Sequence, residues 1–109
     1  MTYPSAYIQE LLARTDIYDL VSEDVCLKKM KYPGRWKGLC PFHTERTPSF
    51  IVLQDRQFAR CHGCGHCWGP IRYVVIMRGL TYEETIRWLA CRYHFYYKEW
   101  KRKNNRRKE

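Results

Sequence analysis

The spacing of apolar residues predicts helices at the start of the chain. Over residues 8–21, apolar side chains recur three and four positions apart, in one group around Leu11 and a second around Leu20. This spacing places them on one face of a helix. We therefore expect two short helices that pack on the core, the first capped by Ser5 and the second by Thr15.

The middle of the chain has a different pattern, which predicts strands. Between positions 24 and 60, short segments rich in β-branched and aromatic residues alternate with turn residues. Such segments favour strands. We expect residues 36–39, 49–53 and 57–60 to pair in an antiparallel sheet of three or more strands.

Helical spacing returns in the last third of the chain. Pro70 suits the first position of a third helix, which would end at Gly79. Thr81 and Glu84 form a capping box ahead of a fourth helix. We expect that helix to extend to Trp100.

Length and composition indicate one small α+β domain. Of the 109 residues, we assign 1–97 to the domain and expect the basic segment 98–109 to be a disordered tail. A domain of this size buries only about two-thirds of its unfolded surface, so a bound metal would add much to its stability. No long apolar run and no signal peptide occur, and we expect a cytoplasmic protein with no membrane partner.

Two pairs of metal-ligating residue types stand at the ends of segment 40–64. Cys40 and His43 are three positions apart, as are Cys61 and Cys64. Two facing turns of this kind supply the tetrahedral shell of a structural zinc site. Because a closed shell leaves no position for an activated water, we expect one structural Zn²⁺ and no hydrolytic zinc chemistry.

Other ligand sets remain open on spacing alone. His62, His66 and Cys67 are competing ligands, and Cys67 could replace Cys64. The run of three cysteines from Cys61 also has some likeness to an iron–sulfur motif. Strands leading into both half-sites favour the first set.

The number of cysteines allows a second interpretation. Six cysteines could form three disulfides in a secreted protein. Without an export signal, reduced thiols are favoured. Cys26 and Cys91 stand at apolar positions, and we expect them in the core.

The net charge of +9 is unevenly distributed along the chain. Residues 1–27 carry one basic and five acidic side chains, whereas residues 28–60 carry eight basic and two acidic ones. A basic region around a small zinc site points to a polyanionic partner, most plausibly nucleic acid. A solvated basic surface is the alternative.

Aromatic and basic residues alternate along the expected strands. Rings that stack on bases, beside cations that follow the backbone, are what binding of single-stranded nucleic acid requires. One face of the sheet must serve the core, so about half of these rings should be exposed. The candidate contacts are Arg35, Trp36, Lys37, Arg46, Phe50, Phe58, Arg60 and His62.

The sequence contains no arrangement typical of a catalytic centre. We find no nucleophile–base pair, no carboxylate cluster for two metals and no glycine-rich phosphate loop. The chain on its own is therefore not expected to be an enzyme.

Several motifs together resemble the N-terminal zinc-binding domain of bacterial DnaG-type DNA primases. The resemblance runs over about residues 8–95 and is strongest in Lys-Gly-Leu-Cys-Pro-Phe-His at 37–43 and Cys-His-Gly-Cys-Gly at 61–65. The other segments that carry it are 16–21, 32–38, 47–50, Phe58, 79–84 and 88–90.

The resemblance implies a zinc ribbon flanked by helices, with Cys40, His43, Cys61 and Cys64 as the zinc ligands. It implies that the basic and aromatic sheet face reads single-stranded DNA template and helps to start RNA primers. Polymerisation belongs to a separate catalytic domain in that family. We therefore expect a primase catalytic domain or a replicative helicase as partner.

Two departures from the family pattern stand out. Where the family has a Gly-Gly-Asp turn, this chain has Cys67-Trp68-Gly69 and then Pro70, which makes the loop bulkier and less acidic. A basic segment also stands where a long linker is expected. We lean toward a stand-alone protein of a phage or mobile element over a fragment of a longer primase.

The alternative function belongs to another class. The helical segment 70–97, with its many aromatic residues, could make the chain a protein–protein adaptor. It would dock a helicase or relaxase in the replication or transfer complex of a phage or mobile element. Neither the oligomeric state nor the template preference follows from the sequence.

Overall fold

The computed structural model describes residues 3–43 and 46–105. Within these ranges the chain forms five helices and five strands, which confirms the expected α+β fold. The helices are α1 (Ser5–Arg14), α2 (Ile17–Ser22), α3 (Pro70–Arg78), α4 (Tyr82–Arg92) and α5 (Tyr97–Asn105). The strands are β1 (Lys28–Lys29), β2 (Arg35–Gly38), β3 (Phe50–Leu53), β4 (Phe58–Cys61) and β5 (Cys67–Trp68).

The chain divides into two compact units. One is built from the segments up to Thr15 and from Val74 onward, and the other from Asp16–Tyr73. The first unit is helical, and the second contains α2 and the whole sheet. No helix in the described ranges is long and apolar enough to cross a membrane.

The sheet is antiparallel throughout, with its strands in chain order from β1 to β5. Its three central strands lie within one or two residues of the segments expected from the sequence. The structure adds β1 at one edge and β5 at the other. Cys67 and Trp68, expected in a loop, form β5 because they pair with Arg60 and Ala59.

Register gives the sheet two distinct faces, because opposite residues in an antiparallel pair point the same way. The inner face carries the buried residues Val52, Ala59 and Trp68 in one row. The outer face carries a row of residues from all five strands. These are Lys28, Lys37, Ile51, Arg60 and Cys67.

Helix α2 is attached to the sheet through its first turn. The side chain of Asp16, and not Thr15, caps α2 by accepting a hydrogen bond from the Tyr18 amide (3.0 Å). Gln54 donates to Asp16, and Gln57 accepts from the backbone amide of Ile17 (2.7 Å). Both glutamines lie in the β3–β4 hairpin, so this hairpin fixes where α2 begins.

The helical unit packs around one buried tyrosine. The Tyr7 ring is fully buried on α1 and stacks on Phe95 at a centroid distance of 5.3 Å. Its hydroxyl donates a 2.6 Å hydrogen bond to the Phe95 carbonyl. Arg14 covers the other ring, with its guanidinium 4.0 Å from the centroid of Phe95.

The structure corrects the expectation of a disordered tail for residues 98–105, which belong to α5. Tyr97 and Trp100 turn toward α1, where their rings lie 5.1 and 5.5 Å from Tyr7. Trp100 also donates to the Glu10 carboxylate. These contacts order the helix, whereas residues 106–109 lie outside the described part.

Helix α4 ends earlier than the apolar spacing predicted. It stops at Arg92. His94 adopts a left-handed backbone conformation (φ 53°), so the chain turns between α4 and α5. The capping box of Thr81 and Glu84 is confirmed. Ser5 does not cap α1: the N-cap position is Pro4, which has no side-chain donor or acceptor to offer.

The start and end of α3 agree with the sequence prediction. The helix begins at Pro70 and is followed by Gly79, which has a positive φ of 65°. Cys26 and Cys91 are exposed, which corrects the expectation that both lie in the core. Cys26 lies between α2 and β1, next to the buried Val25, and Cys91 lies on α4, next to the buried Ala90.

Replacing Tyr7 with Phe should lower the free energy of unfolding by about 1 kcal/mol, because the carbonyl of Phe95 loses its donor. Urea unfolding followed by circular dichroism measures this. Tyr82→Phe is the matched control, since Tyr82 is 51% exposed, and its effect should stay within about 0.5 kcal/mol. Equal effects of the two variants would contradict this role of Tyr7.

The same variant should change the response to alkali. Burial raises the pKa of Tyr7 from 10.0 to about 12. Between these two values the unfolded chain loses the proton while the folded chain keeps it, so stability falls as pH rises through this window. Tyr7→Phe should flatten this fall.

Candidate metal centre

The ends of β2 and β4 lie on either side of β3, and this places the two half-sites close together. Gly38, Phe50 and Cys61 lie opposite one another in a single row at one end of the sheet. The chain leaves β2 at Gly38 and reaches Cys40 two residues later. The first half-site is therefore held close to Cys61, where β4 ends.

The four expected ligands form a compact cluster. Their ligand atoms all lie within 4.8 Å of one another. Cys40 Sγ is 3.7 Å from Cys64 Sγ, and His43 Nδ1 is 2.7 Å from Cys64 Sγ and 4.0 Å from Cys61 Sγ. A tetrahedral zinc ion with Zn–S bonds of about 2.3 Å requires sulfurs about 3.8 Å apart. The donor set and the Cys40–Cys64 distance thus fit one Zn²⁺, whereas the shorter distance from His43 to Cys64 would lengthen around a bound ion.

The geometry favours this set over the alternatives. Among the residues that the structure describes, the cluster contains four potential ligands and no fifth. Cys67 is exposed in β5, on the outer face of the sheet, and His62 and His66 are also exposed. A shell with Cys67 in place of Cys64 would require β5 to leave the sheet.

Groups around the ligands set their protonation. Burial alone raises the pKa of the Cys61 thiol, but donation from the Ser49 hydroxyl (3.5 Å) and the Cys64 amide (3.3 Å) lowers the pKa overall. Burial, together with the neighbouring thiols, raises the pKa of Cys40 to about 12. Zinc would hold these sulfurs as thiolates, so metal binding releases protons at neutral pH.

Two residues that support the cluster were not identified from the sequence. Ser49 contacts Cys61 through its hydroxyl, and its carbonyl accepts from the His62 amide (3.0 Å). Gly63 lies against the ring of His43: a Cβ at this position would be 2.9 Å from Nε2. Only a glycine lets the imidazole occupy this place without a shift. Nothing in the spacing identifies Ser49, whereas Gly63 lies inside the second half-site motif.

The structure divides the proposed nucleic-acid contacts between the two faces of the sheet. Arg35, Lys37, Phe58 and Arg60 occupy outer-face positions. Lys37 and Arg60 are exposed, and Phe58 is half-buried. Outside the strands, Arg46 and His62 are exposed in the two loops that flank the metal cluster.

Two of the proposed contacts are corrected. Phe50 is fully buried on the inner face and cannot stack on a base. Trp36 lies on the same inner face, opposite Val52. Its ring is 4.2 Å from the Tyr18 ring, and its indole N–H donates to Gln54 (3.1 Å). Both rings therefore stabilise the sheet unit, because their strand positions have the wrong parity for the outer face.

Removal of zinc with a strong chelator should unfold the sheet unit cooperatively. Structural zinc contributes ~10–16 kcal/mol in small domains, which is comparable with a whole folding free energy of about 5–15 kcal/mol. Circular dichroism, with metal content checked by mass spectrometry, measures this. A native spectrum after verified metal loss would contradict it.

A matched pair of glycine variants tests the His43 contact. Gly63→Ala should lower zinc affinity by about tenfold or more, measured by competition with a chromogenic chelator. Gly69→Ala should leave the affinity unchanged, since a Cβ there meets nothing within 4 Å. Equal affinities would show that His43 does not depend on Gly63.

Comparison with known proteins agrees with this geometry. The profile of a family described as "CHC2 zinc finger" matches residues 3–105. The chain is 44% identical over 89 residues to a DNA primase of Neisseria meningitidis, covering 82% of this chain and 15% of that protein. It is 42% identical over 88 residues to a DNA primase of Escherichia coli, covering 81% and 15%.

A solved structure shows the same fold. The crystal structure of the zinc-binding and RNA polymerase domains of Aquifex aeolicus primase aligns with a TM-score of 0.74 and 35% identity, covering 86% of this chain and 22% of that one. The chain spans about 15% of the length of the Neisseria meningitidis and Escherichia coli primases. Its resident metal is one structural zinc ion, and the chain belongs to the CHC2 zinc finger family.

Proposed function

We propose that the chain is a zinc-dependent module that binds single-stranded DNA template in RNA primer synthesis and supports a separate primase catalytic domain. The observation that carries this proposal is the outer face of the sheet. That face combines exposed cations with apolar surface, next to the zinc centre that holds the strands in place.

The composition of the outer face suits a nucleic-acid strand. Its central row places Ile51 between Lys37 and Arg60, and a second row holds Arg35, Leu53 and Phe58. None of the outer-face strand positions that the register defines is acidic. Cations there would contact phosphates, and the half-buried Phe58 ring offers an apolar surface on which a base can stack.

Charged residues at the rim fit the same role. Arg35 Nε lies 4.0 Å from Asp55 Oδ1, and its partly exposed guanidinium stands at the edge of the second row. Arg46 and His62 extend the basic surface toward the metal cluster. We therefore retain six of the eight expected contacts: Arg35, Lys37, Arg46, Phe58, Arg60 and His62.

The relatives suggest how such a module would act. The chain matches about 15% of bacterial DNA primases, and the Aquifex aeolicus structure joins a zinc-binding domain to an RNA polymerase domain. We propose that a polymerase domain of this kind, in the same chain or a separate one, performs the chemistry while this module holds template. A replicative helicase is a second proposed partner.

Binding of a fluorescent single-stranded oligonucleotide tests the outer face. Phe58→Ala should weaken binding by ~1–3 kcal/mol if a base stacks on the ring. Arg60→Gln should lower the slope of log K against log salt by about 0.7. The control variants are Tyr82→Ala, an exposed ring in the helical unit, and Arg56→Gln, an exposed arginine in the β3–β4 hairpin.

The two outcomes separate the competing functions. Weaker binding in the outer-face variants and unchanged binding in the controls would support the template module. No detectable binding at low salt, with zinc bound, would overturn it.

Chemical modification of native cysteines gives a second test. Cys67 lies on the outer face beside Arg60, while Cys91 is exposed on α4. A saturating oligonucleotide should slow alkylation of Cys67 and not of Cys91, as measured by mass spectrometry. Equal rates with and without DNA at both positions would argue against binding at this face.

One observation favours the adaptor as a second candidate function. On the helical unit, Trp88 is half-buried, and the guanidinium groups of Arg78 and Arg92 lie 5.6 and 5.4 Å from its ring. Leu80 and Cys91 border a shallow apolar hollow beside it. Such a surface suits a protein partner, and it would carry the function if DNA binding fails.

A further inference from the structure

We propose that the β1–β2 end of the outer face carries a nucleotide-binding subsite. In this subsite the base occupies an apolar pocket and its phosphates lie between Lys28 and Lys37. The inference deepens the proposed function, on which it rests for the nature of the ligand. It involves Lys28, Leu39 and Cys26, which have no part in the contacts described above.

A pocket of about 490 Å³ lies at this end of the sheet unit. Its apolar walls come from Leu39, Pro41 and Pro48, and Lys28 and Lys37 stand at its border. Pockets that bind small molecules typically have volumes of roughly 300–1,000 Å³, mostly apolar walls and a few polar groups, and this pocket has the same features. Leu39 is 48% exposed, so a ligand reaches it without rearrangement of the chain.

The strand register explains why both lysines border one pocket. Lys28 lies directly opposite Lys37, and both are exposed on the outer face. Cys26 and Leu39 lie just beyond the paired residues, and both line the same pocket. The pocket therefore combines a cationic pair with neighbouring apolar side chains.

The cationic pair is unfavourable in the absence of a ligand. Like charges directly opposite each other on one face of a sheet are destabilising. An anion placed between the two ammonium groups removes this repulsion and gains two charge-assisted contacts. The arrangement is therefore suited to a phosphate group.

The rest of the pocket selects among anions. A simple anion needs no apolar wall, whereas a nucleotide presents a flat base and a phosphate on the same molecule. Asp24 also lines the pocket, and its Oδ2 accepts a hydrogen bond from the Tyr73 hydroxyl (2.8 Å). Lys37 continues the row toward Arg60, so the subsite lies at one end of the proposed path for a strand.

Two sources could supply this nucleotide. It could be a free nucleoside triphosphate or one nucleotide of a bound strand, and both present the same base and phosphate chemistry. Titration of the zinc-loaded full chain, followed by amide and methyl NMR, distinguishes them. The probes are each of the four ribonucleoside triphosphates, inorganic triphosphate and a short single-stranded oligonucleotide.

The expected result is a local response. A nucleoside triphosphate or the oligonucleotide should shift the signals of Lys28 and Leu39, and should slow alkylation of Cys26 but not of Cys91. Leu39→Ser and Lys28→Gln should each raise the Kd of that probe about threefold or more. Lys29→Gln, which removes the same charge from the opposite face of β1, should leave the Kd unchanged.

Several results would overturn the subsite. One is binding of inorganic triphosphate as tight as that of every nucleotide, with no effect of Leu39→Ser. A second is no response of Lys28 and Leu39 to any probe. A third is a shift of these signals with protein concentration alone, which would assign the pocket to contact with a second copy of the chain.

A stability measurement tests the repulsion between Lys28 and Lys37 independently of ligand binding. Without ligand, Lys28→Gln should raise the Tm by about 1–2 °C, because it relieves the repulsion with Lys37. Lys29→Gln should not raise it. A lower Tm in Lys28→Gln would show that Lys28 serves structure and not a ligand.

The results also distinguish this inference from the function on which it rests. If Phe58→Ala and Arg60→Gln weaken oligonucleotide binding while Leu39→Ser and Lys28→Gln do nothing, the subsite fails and the template module stands. If the oligonucleotide does not bind but a nucleoside triphosphate binds through Leu39 and Lys28, the module fails and the subsite stands.

Discussion

The sheet unit depends on the metal tie between the ends of β2 and β4. These two strands are not neighbours: β3 lies between them, and the row through Gly38, Phe50 and Cys61 brings their ends to one side of the sheet. Zinc closes that end by joining the turn after β2 to the turn after β4. The opposite end is closed by hydrogen bonds from the β3–β4 hairpin to α2, through Gln54 and Gln57. A short sheet, whose three central strands have four residues each, is thus held at both ends, by a metal at one and by polar side chains at the other.

This arrangement leaves the two faces of the sheet with separate tasks. The inner face contains the buried apolar residues, and α2 packs against its central strand. The outer face need not contribute a core, because the metal and the hairpin already fix the strands. It can therefore carry exposed cations in one row. In a small domain with little core, a bound metal supplies stability that packing alone would not, and one face of the sheet can therefore remain polar.

The sequence predicted the metal site well because its information is local. Each half-site is a pair of ligands three positions apart, and such a spacing does not depend on the rest of the fold. The assignment of Trp36 and Phe50 needed more, since it depends on which face each strand position occupies. A shift of one residue in register exchanges the faces, and the register became visible only in the pairing of β2, β3 and β4. The capping of α2 by Asp16 instead of Thr15 is accompanied by a contact that is not local, because Gln54 also donates to Asp16.

Helix α5 shows the same limit in another form. Its composition is that of a disordered segment, since all but two of its nine residues are polar or charged, and local propensity gives little reason for order. Tyr97 and Trp100 fold it because both reach Tyr7, about ninety residues earlier in the chain, and a contact of that separation is not visible in a local pattern.

The paired lysines at the sheet edge follow from the same division of tasks. Lys28 opposite Lys37 weakens the β1–β2 pairing, and β1 contains only two residues, so its own hydrogen bonds give little compensation. Gly38 supplies part of it: a Cβ at this position would be 2.7 Å from the side chain of Val25, which shows how closely the segment before β1 packs against β2. Close apolar packing of the inner side, anchored by zinc two residues beyond Gly38, allows the outer side to keep two like charges together. The packing around Gly38 on the inner face therefore offsets the repulsion between Lys28 and Lys37 on the outer face. An anionic ligand would gain most by binding at this edge of the sheet, because it would remove that repulsion.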